Sequence, residues 1–235
     1  MIPSIILLSL GAVMSTIFII SKVRHYSLVT IILKTVASLF FIALGITTVC
    51  LTEGDKQFGV IILIGLIFGM LGDVLLGFKY ITTKTKKFWI LSGMFAFAFG
   101  HISYVIGLFV HFYQRGNILF AFLPFIISLV MSTIYLCVKG RLGIHFGKMF
   151  PFGVFYLICL TSMFSTSLVM GILHSFNETT LIMFFVGAFN FVISDFMLTG
   201  AYFKEGQRPK WYMATYSVAY YIAQFLIAFS ILFLR

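Results

Sequence analysis

Two aspartates stand in stretches of the sequence that are otherwise apolar. Asp73 lies in FGMLGDVLLG at 68–77, and Asp195 lies in NFVISDFMLTG at 190–200. The other four acidic residues fall between the apolar runs: Glu53, Asp55, Glu178 and Glu205. A carboxylate buried in an apolar medium is costly unless it is paired. Asp73 and Asp195 are therefore either structural partners of a base or functional groups.

Two carboxyl groups that face each other can divide the work of acid–base catalysis. A buried carboxyl group that keeps its proton can donate it, whereas an ionised one can activate water or stabilise a developing cation. This combination suits the acid-catalysed cleavage of acetal-like or enol-ether bonds, whose transition states resemble an oxocarbenium ion. The pattern therefore favours general acid–base chemistry at Asp73 and Asp195.

Other chemistries lack their residues in this sequence. There is no GxSxG motif, no Gly-Lys-[Ser/Thr] phosphate loop and no Rossmann fingerprint. His101 is the one histidine well inside an apolar run, and the others lie at run ends or between runs: His25, His111, His145 and His174. Three convergent ligands for zinc are not evident. We therefore expect neither a metal nor another cofactor.

The composition places these residues in a membrane. The chain is 61% hydrophobic and 9% charged, whereas a soluble domain has roughly 25% charged residues. Its net charge of +10 could indicate nucleic-acid binding. However, the basic residues are concentrated in short segments between apolar runs, as in membrane proteins. We therefore expect membrane lipids, and no nucleic acid, among its partners.

Eight apolar runs must position the site. Each is about 19–24 residues long, enough for a helix to cross a ~30 Å hydrocarbon core. The first run has neither a basic leader nor a small-residue cleavage site, so we expect it to be retained. The runs cover 3–21, 28–51, 58–78, 88–111, 118–138, 150–172, 180–202 and 211–234. The sequence thus predicts an all-α integral membrane protein, a single domain over 1–235 with eight transmembrane helices.

The basic residues predict how the helices are oriented. Twelve Lys and Arg residues follow runs 1, 3, 5 and 7: Lys22, Arg24, Lys79, Lys84, Lys86, Lys87, Lys139, Arg141, Lys148, Lys204, Arg208 and Lys210. Three lie on the opposite side: Lys56, Arg115 and Arg235. By the positive-inside rule, the odd-numbered connections are cytoplasmic and both termini lie outside. The host membrane stays open between a bacterial inner membrane and a eukaryotic endomembrane.

Polar residues inside the runs form two layers of one cavity. Asp73 and Asp195 lie roughly 9–14 Å inside the expected cytoplasmic boundary, and Lys34 lies at the same depth. A deeper layer contains His101, Asn190 and Gln224. Lys34 could pair with an aspartate or extend to the headgroups. The deeper residues could line the cavity or form hydrogen bonds between helices.

The two acids also fit an internal repeat. Asp73 and Asp195 are 122 residues apart, and His101 and Gln224 are 123 apart. GDVLLG resembles SDFMLTG, and each acid lies on the third run of a four-run half. This pattern suggests two parallel four-helix halves, related by an axis along the membrane normal, with the acids facing each other across it.

Four motifs, in order, carry a family resemblance. They are LGDVLLGF (71–78), MFAFAFGHISYV (94–105), GAFNFVISDFMLTG (187–200) and MATYSVAYYIAQFLIAFS (213–230). Together with Lys34 in ILKTVASLF (32–40), they resemble the YhhN-type lysoplasmalogenase family of membrane enzymes. The resemblance covers nearly the whole chain. It implies hydrolysis of the vinyl-ether bond of lysoplasmalogens, giving a fatty aldehyde and glycerophosphoethanolamine or glycerophosphocholine.

The resemblance also implies roles for the polar residues. Asp73 and Asp195 would be the catalytic pair, one donating a proton and the other orienting water. The substrate-binding residues would be Lys34, His101, Tyr104, Asn190, Tyr220 and Gln224. The partner would be a lysophospholipid substrate, and a homodimer stays open. A proton-coupled lipid or solute transporter and an ester-cleaving lipid hydrolase are the alternatives.

Overall fold

The computed structural model describes residues 1–81, 84–113, 118–206 and 208–234. Over these ranges it contains eight long helices joined by short connections. They are α1 (Ile2–Arg24), α2 (Leu28–Leu51), α3 (Lys56–Phe78), α4 (Lys86–Phe112), α5 (Leu119–Val138), α6 (Phe150–Leu173), α7 (Thr179–Phe203) and α8 (Lys210–Ser230). Each is long and apolar enough to cross a membrane. The predicted all-α fold with eight transmembrane helices is confirmed.

Local sequence signals set several helix ends. The Asp55 carboxylate accepts a hydrogen bond from the Gln57 N–H at 2.8 Å and caps the start of α3. Pro151 lies in the first turn of α6, where a missing N–H leaves no helical hydrogen bond unmade. The ends of α1 and α8 differ most from the predicted runs. The helix α1 continues to Arg24, because helical hydrogen bonding does not require apolar side chains. The helix α8 ends at Ser230, where a short 3₁₀ turn follows.

The helices pack in a ring that follows the chain order for the most part. Neighbours in sequence pack on each other from α1 to α4 and from α6 to α8, α4 packs on α6, and α8 closes the ring on α1. The helix α5 lies outside, against α6, while α8 also touches α2 and α3. The first helices of the two halves suggested by the repeat therefore pack differently: α1 belongs to the ring, whereas α5 lies outside it. The third helices of these suggested halves, α3 and α7, carry Asp73 and Asp195.

The connections after the odd-numbered helices gather at one end of the bundle, which we call the basic end. The rings of Tyr26, after α1, and Tyr80, after α3, lie 3.8 Å apart between centroids. Ile144, after α5, forms an isolated antiparallel bridge with Lys204, after α7. The up-and-down order of the helices thus groups the loops as the basic residues predicted. The side of the membrane on which this end lies stays a prediction.

The opposite end is held together by polar contacts between helix ends. His111 Nδ1 lies 3.0 Å from Asp55 Oδ2, and His174 Nε2 lies 3.0 Å from the Phe112 carbonyl oxygen. Arg115 and Arg235, which the topology argument assigned to this side, lie outside the described residues.

Candidate active site

Asp73 lies at the centre of a group of hydrogen-bond donors. Its side chain is 1% exposed. Lys34 Nζ lies 2.7 Å from Oδ1, and Ser38 Oγ donates to Oδ2 at 2.6 Å. Both come from α2, one turn apart and hence on the same face. Tyr220 of α8 also donates to Oδ2, at 2.7 Å. One ammonium and two hydroxyls therefore face this carboxylate, a setting that suits its ionised form.

Tyr220 extends this network into the deeper layer. Its hydroxyl accepts a hydrogen bond from Gln224 Nε2 at 3.1 Å. Gln224 Oε1 in turn accepts one from the Tyr104 hydroxyl at 3.1 Å. Tyr104 and Gln224 are both completely or almost completely buried, so these bonds satisfy polar groups that water cannot reach. The hydrogen bonds join α2, α3, α4 and α8 into one unit around Asp73.

Glycines on α3 make room for these side chains. A Cβ at Gly65 would lie 2.3 Å from a ring carbon of Tyr104, and one at Gly69 would lie 2.5 Å from Gln224 Nε2. Neither distance is tolerable for a real carbon atom, so both positions need glycine for close approach. The glycines around Asp73 therefore position the polar residues of the site in addition to packing the helices.

Asp195 lies in a contrasting setting. It is 5% exposed and accepts a short hydrogen bond from the Tyr156 hydroxyl of α6. His101 Nε2 lies 3.4 Å from the same hydroxyl. Neither of the ion pairs found within the described ranges includes Asp195. A buried carboxyl group with one hydroxyl donor and no ion-pair partner in this part of the chain suits the neutral acid.

His101 is the innermost member of this second network. It is 1% exposed and lies edge-on to the Phe191 ring, with centroids 4.8 Å apart. Its Nδ1 has no hydrogen-bond partner among the residues that the structure describes. A histidine with one nitrogen at Tyr156 and the other unoccupied by protein can offer that nitrogen to water or to a bound molecule.

The two aspartates line one polar cavity. Its lining also includes Lys22, Lys34 and Tyr220, and its volume is about 40 Å³. That space holds a few water molecules, since one water needs roughly 10–15 Å³ by this measure. The structure therefore brings the two acids to a common, water-sized chamber, although they belong to separate hydrogen-bond networks.

A second cavity of about 40 Å³ lies on the other side of Asp195, and its lining is mostly apolar. Met94, Tyr156 and Leu160 line it together with Asp195. Four further residues line both cavities and form the partition between them: Leu76, Phe97, Leu198 and Tyr202. Asp195 thus stands at the boundary of a polar and an apolar compartment.

Comparison with known proteins assigns the chain to a family. Residues 29–231 match the model of the YhhN family, from the start of α2 to just past the end of α8. The chain belongs to the YhhN family. Searches of curated proteins and of solved structures found no significant match. The matched span contains both aspartates and every member of the two networks.

Asn190 is the predicted site residue that this YhhN fold places elsewhere. Its Nδ2 donates to the Val186 carbonyl of its own helix at 2.9 Å. It lies in an open groove on the outside of α7 and α8, beside Ile193 and Val218. Five residues separate it from Asp195, which on a helix is a rotation of about 140°. The structure therefore places Asn190 outside the cavity that Asp195 lines, and the substrate-binding role expected for it stays a prediction.

Two members of the candidate site were not singled out from the sequence. Ser38 follows Lys34 by four residues, and this helical spacing could have indicated that both reach the same acid. Tyr156 stands alone in FGVFYLICL, and only the packing of α6 on α7 shows that its hydroxyl meets Asp195. The remaining predicted residues lie in the two networks: Lys34, His101, Tyr104, Tyr220 and Gln224.

The side chains of the two networks are carboxyl groups, hydroxyls, one ammonium, one amide and one imidazole. Among the described residues, no group of three or more His, Cys, Asp or Glu side chains is arranged to hold a metal ion. The arrangement of the YhhN site can move protons between buried groups and water, and it can hold a charge next to an apolar compartment.

Proposed function

We propose that this YhhN protein is a lysoplasmalogenase, which hydrolyses the sn-1 vinyl-ether bond of a lysoplasmalogen to a fatty aldehyde and a glycerophospho-headgroup. The observation that carries the proposal is the pair of unlike aspartates on one cavity, of which Asp73 is ion-paired and Asp195 is not. Vinyl-ether hydrolysis needs a proton donor and a group that assists water, and carboxyl groups in two protonation states can supply both. Membership of the YhhN family is consistent with a hydrolase.

Asp195 is the proton donor in this proposal. The Tyr156 hydroxyl donates to one carboxyl oxygen, Oδ2, and leaves the other oxygen to carry the proton. The same hydrogen bond stabilises the carboxylate that forms when the proton leaves. The apolar cavity beside Asp195 accepts the alkenyl chain, so the acid meets the double bond where water is scarce.

Asp73 assists the attacking water. Lys34, Ser38 and Tyr220 hold it as an anion at the polar cavity. An ionised carboxylate at this wall can accept a proton from water and stabilise positive charge on the reacting carbon. Because both oxygens of Asp73 already accept hydrogen bonds, its position is fixed before the substrate binds.

The reaction proceeds in balanced steps. Asp195 gives its proton to the outer alkenyl carbon, and the double-bond electrons form the new C–H bond, which leaves an oxocarbenium ion. Water adds to the carbon next to the ether oxygen and gives a proton to Asp73, which yields a hemiacetal. Asp73 then protonates the glycerol oxygen while the hemiacetal hydroxyl returns a proton to Asp195. The C–O bond breaks, the aldehyde and the glycerophospho-product leave, and both acids regain their starting states.

Substrate binding requires the partition between the two cavities to open. A space of about 40 Å³ is too small for a lipid on either side. The partition consists of Leu76, Phe97, Leu198 and Tyr202. Rotation of these side chains would join the apolar space to the water-sized one. The vinyl ether would then lie across Asp195, with its chain on the apolar side and its glycerol on the polar side.

One assay tests the proposed function against its alternatives. The purified protein in detergent is incubated with a lysoplasmalogen and, separately, with the acyl-ester lysophospholipid of the same headgroup, and the release of aldehyde and fatty acid is followed. We expect aldehyde from the first and no fatty acid from the second. Fatty acid alone would identify an ester hydrolase. Movement of lipid in proteoliposomes without cleavage would identify a transporter.

The matched control is a polar residue of the same helix outside the cavity. Asp195→Asn should abolish aldehyde release, whereas Asn190→Ala should leave it unchanged, because Asn190 lies on the outer face of α7. Equal activity of Asp195→Asn and the unaltered protein would overturn the role of Asp195 as proton donor.

A further inference from the structure

Two lysines at the basic end have no acidic partner among the residues that the structure describes. Lys22 lies in the last turn of α1, and Lys79 directly follows α3. Lys79 is 4% exposed. The ion pairs found within the described ranges are Lys34–Asp73 and His111–Asp55, and neither contains Lys22 or Lys79. A buried cation needs compensation, and Asp73, which lines the same cavity as Lys22, is already paired with Lys34.

Tyrosine rings surround these two ammonium groups. Lys79 Nζ lies 2.9 Å from the centroid of the Tyr202 ring and 4.5 Å from that of Tyr80. Lys22 Nζ lies 4.0 Å from the centroid of the Tyr216 ring and donates to Ser217 Oγ at 2.7 Å. Ring faces attract a cation but carry no net charge. They position the ammonium groups and leave the positive charge uncompensated.

The lysines also stand at the cavity that the aspartates line. Lys22, Tyr202 and Tyr216 belong to the wall of the polar cavity, and Lys79 contacts it through Tyr202. Lys34 is part of the same wall, but its ammonium group is committed to Asp73. The uncommitted positive charge therefore lies on Lys22 and Lys79.

The positive charges act on one another. Burial lowers the pKa of the Lys79 ammonium well below its usual value, and the charges of Lys22, Lys34 and Lys86 lower it further. An anion bound between such groups would relieve both the desolvation and the repulsion. The hydroxyls of the tyrosines that line this cavity are donors of the kind that phosphate oxygens accept, whereas the Ser217 hydroxyl already donates to the Met213 carbonyl oxygen.

We propose that Lys22 and Lys79 form a binding site for the phosphate group of the substrate, at the basic-end rim of the polar cavity. This inference rests on the proposed function and specifies which group of the substrate the protein recognises. In this proposal the lysines recognise the phosphate ester attached to glycerol. They do not recognise the amine of the headgroup, which would extend beyond them. Lysine acts as a point charge for phosphate and so tolerates different headgroups.

The experiment compares two cleavable substrates that differ in the phosphate. One is a choline lysoplasmalogen, and the other is the 1-alkenylglycerol of equal chain length, which lacks phosphate. We expect Lys22→Met and Lys79→Met each to lower kcat/KM for the lysoplasmalogen by about ten- to hundredfold, with little change for the alkenylglycerol. Lys148→Met, an exposed lysine after α5, serves as the control and should change neither. Equal losses on both substrates, or on neither, would overturn the phosphate site.

A binding measurement separates this inference from the proposed function. The probe is a 1-alkyl lysophosphocholine, which has phosphate but no cleavable bond, titrated into the detergent-solubilised protein with and without inorganic phosphate as competitor. We expect Lys22→Met, the less buried of the two changes, to weaken binding about tenfold or more and Lys22→Arg to retain it. If the unaltered protein released no aldehyde at all, the proposed function would fail, and this titration would still decide whether the lysines bind phosphate. Unchanged affinity in Lys22→Met and Lys79→Met would overturn the site.

Discussion

Asp73 on α3 and Asp195 on α7 are the same residue type inside two apolar helices, yet their surroundings are opposite. Asp73 accepts from an ammonium and two hydroxyls. Asp195 accepts from one tyrosine that leads to a buried histidine. The comparison teaches that neighbours on other helices, rather than the local motif, distinguish the two acids. Replacing the one or the other carboxylate should therefore affect the stability of the protein differently.

The largest expected effects follow from replacing either acid, and the thermal unfolding midpoint should distinguish the two variants. Asp195→Asn should lower kcat by about 10²- to 10⁴-fold, because the proton donor is lost, with little change in the thermal unfolding midpoint. Asp73→Asn should lower kcat as strongly and should also lower the midpoint, because the Lys34 ammonium, whose side chain is only 16% exposed, would lose its charged partner. Aldehyde release and thermal unfolding in detergent provide the two measurements. Equal destabilisation by both variants would remove the distinction between the sites.

The ion pair between Lys34 and Asp73 can also be tested by replacing Lys34. Lys34→Met leaves Asp73 without its cation and should destabilise the protein by about 3–5 kcal/mol. The double variant Lys34→Met with Asp73→Asn should recover much of that stability, because no buried charge remains, but no activity. Chemical unfolding of the single and double variants gives the coupling energy. Additive losses in the double variant would show that the two side chains do not depend on each other.

A smaller effect compares the tyrosines of the two networks. Tyr156→Phe should lower kcat more than Tyr220→Phe does. Asp195 then loses the hydroxyl donor seen in the structure, whereas Asp73 keeps Lys34 and Ser38. We expect a loss of about ten- to hundredfold for Tyr156→Phe and severalfold for Tyr220→Phe. Kinetics at saturating substrate measure this. The opposite order would contradict the assignment of Asp195 as the acid.

The glycine face of α3 gives a further test of the Asp73 network. Gly69→Ala should displace Gln224 and destabilise the protein by about 1–3 kcal/mol, because the new Cβ would overlap Gln224 Nε2. Gly140→Ala is the matched control, since a Cβ there meets open space, and it should be nearly neutral. The thermal midpoints of the two variants settle the point. If Gly69→Ala left the thermal midpoint unchanged, α3 and α8 could move apart at this level without a loss of stability.

The smallest effect comes from a third, half-exposed carboxylate. Burial raises the pKa of Asp55, but its hydrogen bonds with His111 and the Gln57 N–H outweigh this and leave the pKa below its usual value. Its contribution to stability is therefore present at neutral pH and is lost as the pH falls through the range in which Asp55 gains a proton. Asp55→Asn should cost less than about 1 kcal/mol at neutral pH, because exposed pairs are weak and Asn also caps helices. The check is the unfolding midpoint at neutral and acidic pH, and a difference that grows as the pH falls would contradict the assignment.

The sequence by itself determined the class of the fold and the outline of the site. Hydrophobic runs of membrane-spanning length can form only helices in lipid, so eight runs predicted eight helices. The cost of burying carboxylates identified Asp73 and Asp195 before any contact was known. The depth of Lys34 along α2 placed it in the layer of Asp73, and the two form an ion pair. The family match over residues 29–231 agrees with the resemblance found in the motifs.

Only the tertiary structure decided which neighbour each acid has. Depth along a helix can be read from sequence, but rotation about the helix axis relative to other helices depends on how all of them pack. Asn190 was expected in the deeper layer of the cavity, but its side chain lies on the outer face of α7. Tyr156 gives no local signal of its partner on α7. The different surroundings of Asp73 and Asp195, on which their proposed roles rest, arise from contacts between residues far apart in the chain. The same holds for the contacts of Lys22 and Lys79 with tyrosines of α8 and α7.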